Sequence, residues 1–187
     1  MAIVDVLDTG NTLDISGELL ISADSHVIEP SMILKERVDA QYRDAAPEFP
    51  RLKVGEGFQA HPGGSDPNAR LTEMSQDGVS AEVLYPTHLL PVFGMDDAKL
   101  QEACFRAYND WLIEYCSHSP DRLWGIAAIS LYRIDQAIAE MKRCKAAGLR
   151  GVMIWQVPPP ELGFDTGHYE RFWAAAEELE MPVSLHI

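Results

Sequence analysis

Two residues near the start of the chain carry the first chemistry: Asp24 and His26, in Ala23-Asp24-Ser25-His26. They end a short apolar run that begins at Leu19, and Glu29-Pro30 stops the strand. Side chains two positions apart on a strand point to the same side. A carboxylate and an imidazole therefore stand together at the strand's C-terminal end. Such a pair can hold a divalent metal, or it is no more than a histidine hydrogen-bonded to a neighbouring acid. A further histidine, His186, lies at the far end of the chain in Val183-Ser184-Leu185-His186-Ile187. The alternation there puts Val183, Leu185 and Ile187 on one face and Ser184 and His186 on the other. Where a fold joins the two chain ends, these ligands suit a Zn²⁺ or Mn²⁺ type ion and leave positions open for water or substrate.

Four other residues have two readings each. Glu29 orients His26 from behind as a partner carboxylate, or it is a turn residue ahead of Pro30. His88 lies in the loop Pro86-Thr87-His88 and touches substrate, or it faces solvent. Tyr85 lines a pocket or packs in the core. Trp155 is a pocket wall for an aromatic or unsaturated acid, or again a core residue. Arg150 precedes its strand and so stands at the wrong end to hold a substrate carboxylate. His61, His118 and His168 have no partner spacing and read as surface residues. Lys142, Arg143 and Lys145 read as the exposed face of a helix.

The elements that position these groups alternate in kind. Short apolar runs at 19–26, 81–86, 124–129, 151–155 and 183–187 read as strands. Helical stripes separate them. One runs from Asp96 to His118, with Leu100, Cys104, Ala107, Tyr108, Trp111, Leu112 and Tyr115 along it. Another begins at an Asp135 cap and closes at Gly148. A third is capped by Asp165 or Thr166 and carries Tyr169, Phe172, Trp173, Ala176 and Leu179. Shorter helices are expected at 31–38, with Ser31 near its N-cap, and from Arg70 to Asp77. Residues 39–69, rich in Pro and Gly, read as an irregular insertion over one end of the fold, and residues 1–18 as a leader.

Strand and helix in alternation, with near-continuous apolar strands, is the pattern of parallel α/β structure. A doubly wound sheet and a (β/α) barrel of TIM type, truncated after its fifth strand, both fit. No G-x-G-x-x-G or G-x-x-x-x-G-K follows any strand, which favours the barrel. Barrel active sites form at the C-terminal ends of the strands. Asp24, His26, Tyr85, His88, Trp155 and His186 all fall there.

The chain has 187 residues, of which 47% are hydrophobic, enough for one sizeable core over 19–187. A net charge of -14 argues against a nucleic-acid or anionic-membrane partner, and its expected meaning is solubility. No apolar run reaches the length of a membrane span. Cys104, Cys116 and Cys144 lack C-x-x-C spacing and are expected as buried, reduced thiols of a cytoplasmic protein.

Four blocks carry a family resemblance: Ala23-Asp24-Ser25-His26-Val27-Ile28-Glu29-Pro30, the segment from Met74 to Thr87, Ala147-Gly148-Leu149-Arg150-Gly151-Val152-Met153-Ile154, and Phe172 to Leu179 leading into Pro182-Val183-Ser184-Leu185-His186. Over residues 19–187 the chain resembles amidohydrolase-related proteins of the aminocarboxymuconate-semialdehyde decarboxylase type. The resemblance implies metal ligation by Asp24, His26 and His186, with Zn or Mn as the ion. It places the family's acid/base histidine and a further metal-binding aspartate on strands beyond Ile187, so no catalytic acid or base is assigned here. It implies hydrolysis or non-oxidative decarboxylation of a small organic acid, aromatic acids included. The alternative is a non-catalytic α/β module that associates with copies of itself through open sheet edges.

Overall fold

The computed structural model describes residues 17–51 and 61–186, together with the backbone of 3–5 and 12–14. Two short strands come first, β1 (Ile3–Asp5) and β2 (Thr12–Asp14), paired antiparallel. They fall in the segment expected as a leader, most of which lies outside the described residues, as does 52–60 of the insertion. The main body follows as β3 (Ile21–His26), α1 (Ile33–Arg37), α2 (Pro67–Gln76), β4 (Ala81–Tyr85), α3 (Ala98–Cys116), β5 (Leu123–Ala128), α4 (Ile134–Ala146), β6 (Gly151–Ile154), α5 (Glu170–Glu178) and β7 (Val183–Leu185).

The sheet runs β3-β4-β5-β6-β7, and every pairing is parallel. A doubly wound sheet reverses its strand order at a switch point; this sheet keeps sequence order throughout. The second reason to discard the doubly wound form is curvature. β3 and β7 are the two edges, four spacings apart, which in a flat sheet is about 19 Å. Yet His186 Nε2, just past β7, lies 2.8 Å from Asp24 Oδ1 on β3. Tyr85 Oη on β4 likewise reaches Ser184 Oγ on β7 at 2.9 Å. The sheet is therefore curled into half a barrel, with these side chains meeting across its hollow.

Helices cover the outer face. Cys104, Tyr108 and Leu112 of α3 are fully buried, beside Leu84, Ala127 and Val152 of the strands. Asn109, also fully buried, accepts the Ala128 N–H at 2.8 Å and donates to the Ala128 carbonyl at 3.0 Å. A side-chain amide thus satisfies the strand end where no neighbouring strand does. Gly148, at φ +99°, closes α4 in a conformation that favours glycine. The three cysteines are free and buried. No described helix is long and apolar enough to cross a membrane.

Several expected boundaries change. Ser31 does not cap α1: the N-cap position is Met32, without a side-chain bond, and the Ser31 carbonyl instead accepts the Phe49 N–H at 2.9 Å. Asp135 lies inside the first turn of α4 and pairs with Arg171 at 2.7 Å. Thr166 caps a single tight turn, Gly167–Tyr169, that leads into α5. α2 starts earlier than expected because Asp66 accepts the N–H groups of Asn68 and Ala69 while Pro67 takes the first helical position. The adjoining Gly63-Gly64 pair is needed for close approach. A Cβ on Gly63 would stand 2.7 Å from Arg70 Cα, and one on Gly64 would stand 2.9 Å from the Ile28 side chain. Through this contact Ile28 N–H reaches the Gly64 carbonyl at 2.8 Å, and the turn after β3 is held.

Candidate metal centre

Asp24 and His26 leave β3 at its C-terminal end, but the strand is not regular. Ser22 pairs with Glu82 and Ser25 with Leu84, so three steps on β3 face two on β4. This is a β-bulge, which bends a strand and re-aims its side chains. Ser22 Oγ and Ser25 Oγ lie 2.8 Å apart, a contact that a flat strand forbids at that spacing. Beyond the bulge Asp24 is largely exposed and His26 half-buried, with Asp24 Oδ1 3.4 Å from His26 Nε2. From the opposite edge His186 Nε2 comes to 2.8 Å of the same oxygen. The ligand atoms of Asp24, His26 and His186 all lie within 4.8 Å of one another.

The tautomer of His26 follows from its other ring nitrogen. Nδ1 stands 2.9 Å from the carbonyl oxygen of Pro86, an acceptor only. Nδ1 therefore carries the proton, and Nε2 presents its lone pair toward Asp24. An imidazole held from behind by a carbonyl is the usual second contact of a metal-ligating histidine. The hydrogen bond from His186 holds the Asp24 carboxyl below the ordinary range, with slight burial opposing. Tyr85 supports the other histidine. Its ring centroid is 4.5 Å from that of His186, and its hydroxyl is engaged with Ser184.

The donor set fits a divalent ion. Ligands about 2.1 Å from a common ion stand roughly 3 to 3.4 Å apart when adjacent. The two distances from Asp24 Oδ1, 2.8 and 3.4 Å, bracket that range. One carboxylate and two imidazoles suit Mn²⁺ and Zn²⁺ alike.

The remaining candidates sit elsewhere. Glu29 does not touch His26. It is buried, 2% exposed, and accepts the backbone N–H groups of Thr87, His88 and Leu89 at 2.9 to 3.3 Å. Burial pushes its carboxyl up to about 7 even though these donors pull it down. His88 is not a solvent-facing loop residue: its ring packs on Phe49 at 5.8 Å, its Nε2 is buried without a partner, and burial lowers its pKa. Trp155 is 2% exposed and packs edge-on against Tyr132, a core position rather than a pocket wall. His168 is half-buried, with Nε2 2.7 Å from the Leu131 carbonyl. Arg150 sits over Trp124 at 5.6 Å and donates to the Pro120 carbonyl. A cleft of about 450 Å³ between α3 and α4 is lined by Glu102, Arg106, Arg133 and Glu140, whose charges pair with one another, and it shares no residue with the Asp24 cluster.

The sequence reading missed Pro86, Ser184 and Arg70. Pro86 acts through its backbone and Ser184 through a tyrosine on another strand, so neither shows a side-chain pattern. Arg70 donates to the His26 carbonyl at 2.8 Å and pairs with Glu82 at 2.5 Å, fixing the end of β3 from beneath. Its only signal was a lone cation in a helix facing a lone acid in an apolar strand.

A curled parallel sheet with carboxylate and imidazole groups at its C-terminal mouth defines a protein of the (β/α)-barrel class. The amidohydrolase family profile matches residues 21–187, and the chain belongs to that family. It is 30% identical over 128 residues to the gamma-resorcylate decarboxylase of Rhizobium radiobacter, covering 64% of this chain and 38% of that enzyme. Among solved structures, an amidohydrolase from Mycobacterium avium subsp. paratuberculosis superposes with a TM-score of 0.75 at 18% identity, over 90% of this chain and 59% of that one. A dihydroxybenzoic acid decarboxylase from Polaromonas, solved with manganese and the inhibitor 2-nitroresorcinol, gives 0.62 at 21% identity, over 90% and 49%. The chain thus spans less than two thirds of the length of each.

Proposed function

We propose that the protein acts as a metal-dependent, non-oxidative decarboxylase of a small hydroxylated aromatic acid, with Asp24, His26 and His186 as ligands of a divalent cation, Mn²⁺ first. The observation that carries this reading is the convergence of those ligand atoms within 4.8 Å from opposite edges of the sheet. The likeness to a gamma-resorcylate decarboxylase supports the choice of reaction. Hydrolysis draws on the same ligands, and no observation favours it.

In the reaction a ring carbon gains a proton, its bond to the carboxyl carbon breaks, and CO₂ leaves. A divalent cation held by Asp24, His26 and His186 would supply positive charge for the oxygen groups of the substrate. The chain's own residues fix the rest of the geometry. Asp24 brings the negative oxygen. His26 presents Nε2 because Pro86 keeps the proton on Nδ1. Tyr85 and Ser184 brace the strand that carries His186.

The test is metal content of the full chain after Mn²⁺ loading and dialysis, beside His186→Ala, followed by titration with 2,6-dihydroxybenzoate, the acid that a structurally similar decarboxylase from Rhizobium acts on. About one equivalent retained by the wild type and lost in the variant is expected, with Mn²⁺-dependent binding of 2,6-dihydroxybenzoate. Equal retention by both proteins would overturn the ligand assignment. A loaded protein that does not bind 2,6-dihydroxybenzoate would overturn the choice of substrate class and, with it, the reaction.

A further inference from the structure

Glu29 and His26 do not touch, yet both are bonded to one peptide group. The Thr87 N–H donates to the two Glu29 oxygens at 3.2 and 3.3 Å. The carbonyl at the other end of that same peptide is Pro86 O, which accepts the His26 Nδ1–H at 2.9 Å. A peptide is a conjugated planar unit. An anion bound at its N–H shifts electron density toward its oxygen and strengthens that oxygen as an acceptor.

We propose that Glu29 is a positioning residue for His26, acting through the Pro86–Thr87 peptide: its charge polarises that peptide, holds the proton on His26 Nδ1 and leaves the Nε2 lone pair toward Asp24 and His186. The arrangement is a carboxylate–histidine pair with one peptide inserted between its members. The surrounding bonds keep the peptide in register. His88 and Leu89 N–H groups bind the same carboxylate. The Thr87 hydroxyl donates to the Val27 carbonyl at 2.6 Å, and Val27 N–H reaches the Tyr85 carbonyl at 2.9 Å. Tyr108 of α3 is a titratable side chain that feels the charge of Glu29, and burial keeps it neutral by raising its pKa; His88 lies in the same turn, its pKa lowered by burial. The inference rests on the metal reading only for its second readout.

The experiment uses the full chain, metal-free, above about pH 8, where Glu29 is ionised. Ring-nitrogen chemical shifts give the His26 tautomer. In the wild type the Nδ1–H form is expected to dominate, and in Glu29→Gln the Nε2–H form rises to a comparable population. The Mn²⁺ dissociation constant, measured against a competing chelator, rises about 10- to 100-fold in Glu29→Gln. Thr87→Ala is the control. It loosens the same turn by removing the bond to Val27 but keeps the N–H and the charge, and is expected to lose only about threefold in affinity. An unchanged tautomer in Glu29→Gln overturns the proposal, as does an equal loss in both variants. If Glu29→Gln does not fold, the wild type decides: the Pro86 carbonyl-carbon shift is expected to move in step with ionisation of the Glu29 carboxyl, and a Pro86 carbonyl that stays fixed overturns the proposal. A wild type that binds no Mn²⁺ while the tautomer still switches removes the metal reading and leaves the relay standing.

Discussion

The burial of Glu29 makes a measurable pH dependence of stability. Its carboxyl takes up a proton at about 7 in the folded chain, against an ordinary value of 4.5, and burial is the largest cause. Between those two values the folded chain holds more protons than the unfolded chain. Stability therefore falls as pH rises through that window, and above it the whole penalty is in place. A rise of this size corresponds to about 3 kcal/mol. Glu29→Gln has no proton to lose. Its amide nitrogen faces backbone N–H donors, a cost on the order of 1–3 kcal/mol that is the same at every pH. The diagnostic quantity is thus the change in the difference between the two proteins. From about pH 4 to about pH 8 the variant should gain about 3 kcal/mol on the wild type. In urea unfolding this is a relative midpoint shift on the order of 1 M. His88, whose pKa is lowered by burial, works in the opposite sense, because the unfolded chain binds its proton first as pH falls. That contribution is common to both proteins and cancels. A difference that stays flat within about 1 kcal/mol across the range would refute the reasoning.

Two further outcomes follow from the packing. Arg70→Met leaves Glu82, only 9% exposed, without its partner and removes a donor from the His26 carbonyl, so a loss of about 3–5 kcal/mol in chemical denaturation is expected. Arg70→Met combined with Glu82→Leu should recover most of it; a double variant as unstable as the single one would show that the ion pair is not the cause. Glu180, just past α5, has φ +50°, a conformation that costs a non-glycine residue, so Glu180→Gly should raise the thermal midpoint with a gain of about 0.5–1 kcal/mol. A lowered midpoint would show that the Glu180 side chain makes up for its backbone.

Much of the fold was legible because its cues are local. The stripe from Leu100 to Tyr115 announced α3, and Gly148 announced the end of α4. The meeting of Asp24, His26 and His186 was legible because Asp24 and His26 share a strand and His186 sits on the polar side of its own. What stayed hidden depends on backbone atoms or on tertiary pairing. The bulge between Ser22 and Ser25 has no residue signature, since any extra residue makes one. The sequence leaves Glu29 as either a partner of His26 or a turn residue, and neither reading foresees that its oxygens go to three N–H groups some sixty residues away. The start of α2 was in plain view, since Asp66-Pro67 is a cap followed by a proline at the first helical position. It was lost among the neighbouring glycines and prolines.

The placement of Asp24, His26 and His186 also ties the candidate site to the curvature of the sheet. Asp24 and His26 leave one edge and His186 the other, so the distance between them depends on every strand spacing and on the twist at each step. Within one strand a small error in packing moves a side chain a little; across five strands such errors accumulate. Tyr85 and Ser184 provide a second tie between β4 and β7 at the same end, independent of any ion. A cation held by Asp24, His26 and His186, as proposed, would be bound only by the curled form and would stabilise it by about 2.7 kcal/mol at a free concentration a hundred times its dissociation constant. Substitutions that flatten the sheet, even far from the mouth, should therefore weaken metal binding before they unfold the chain.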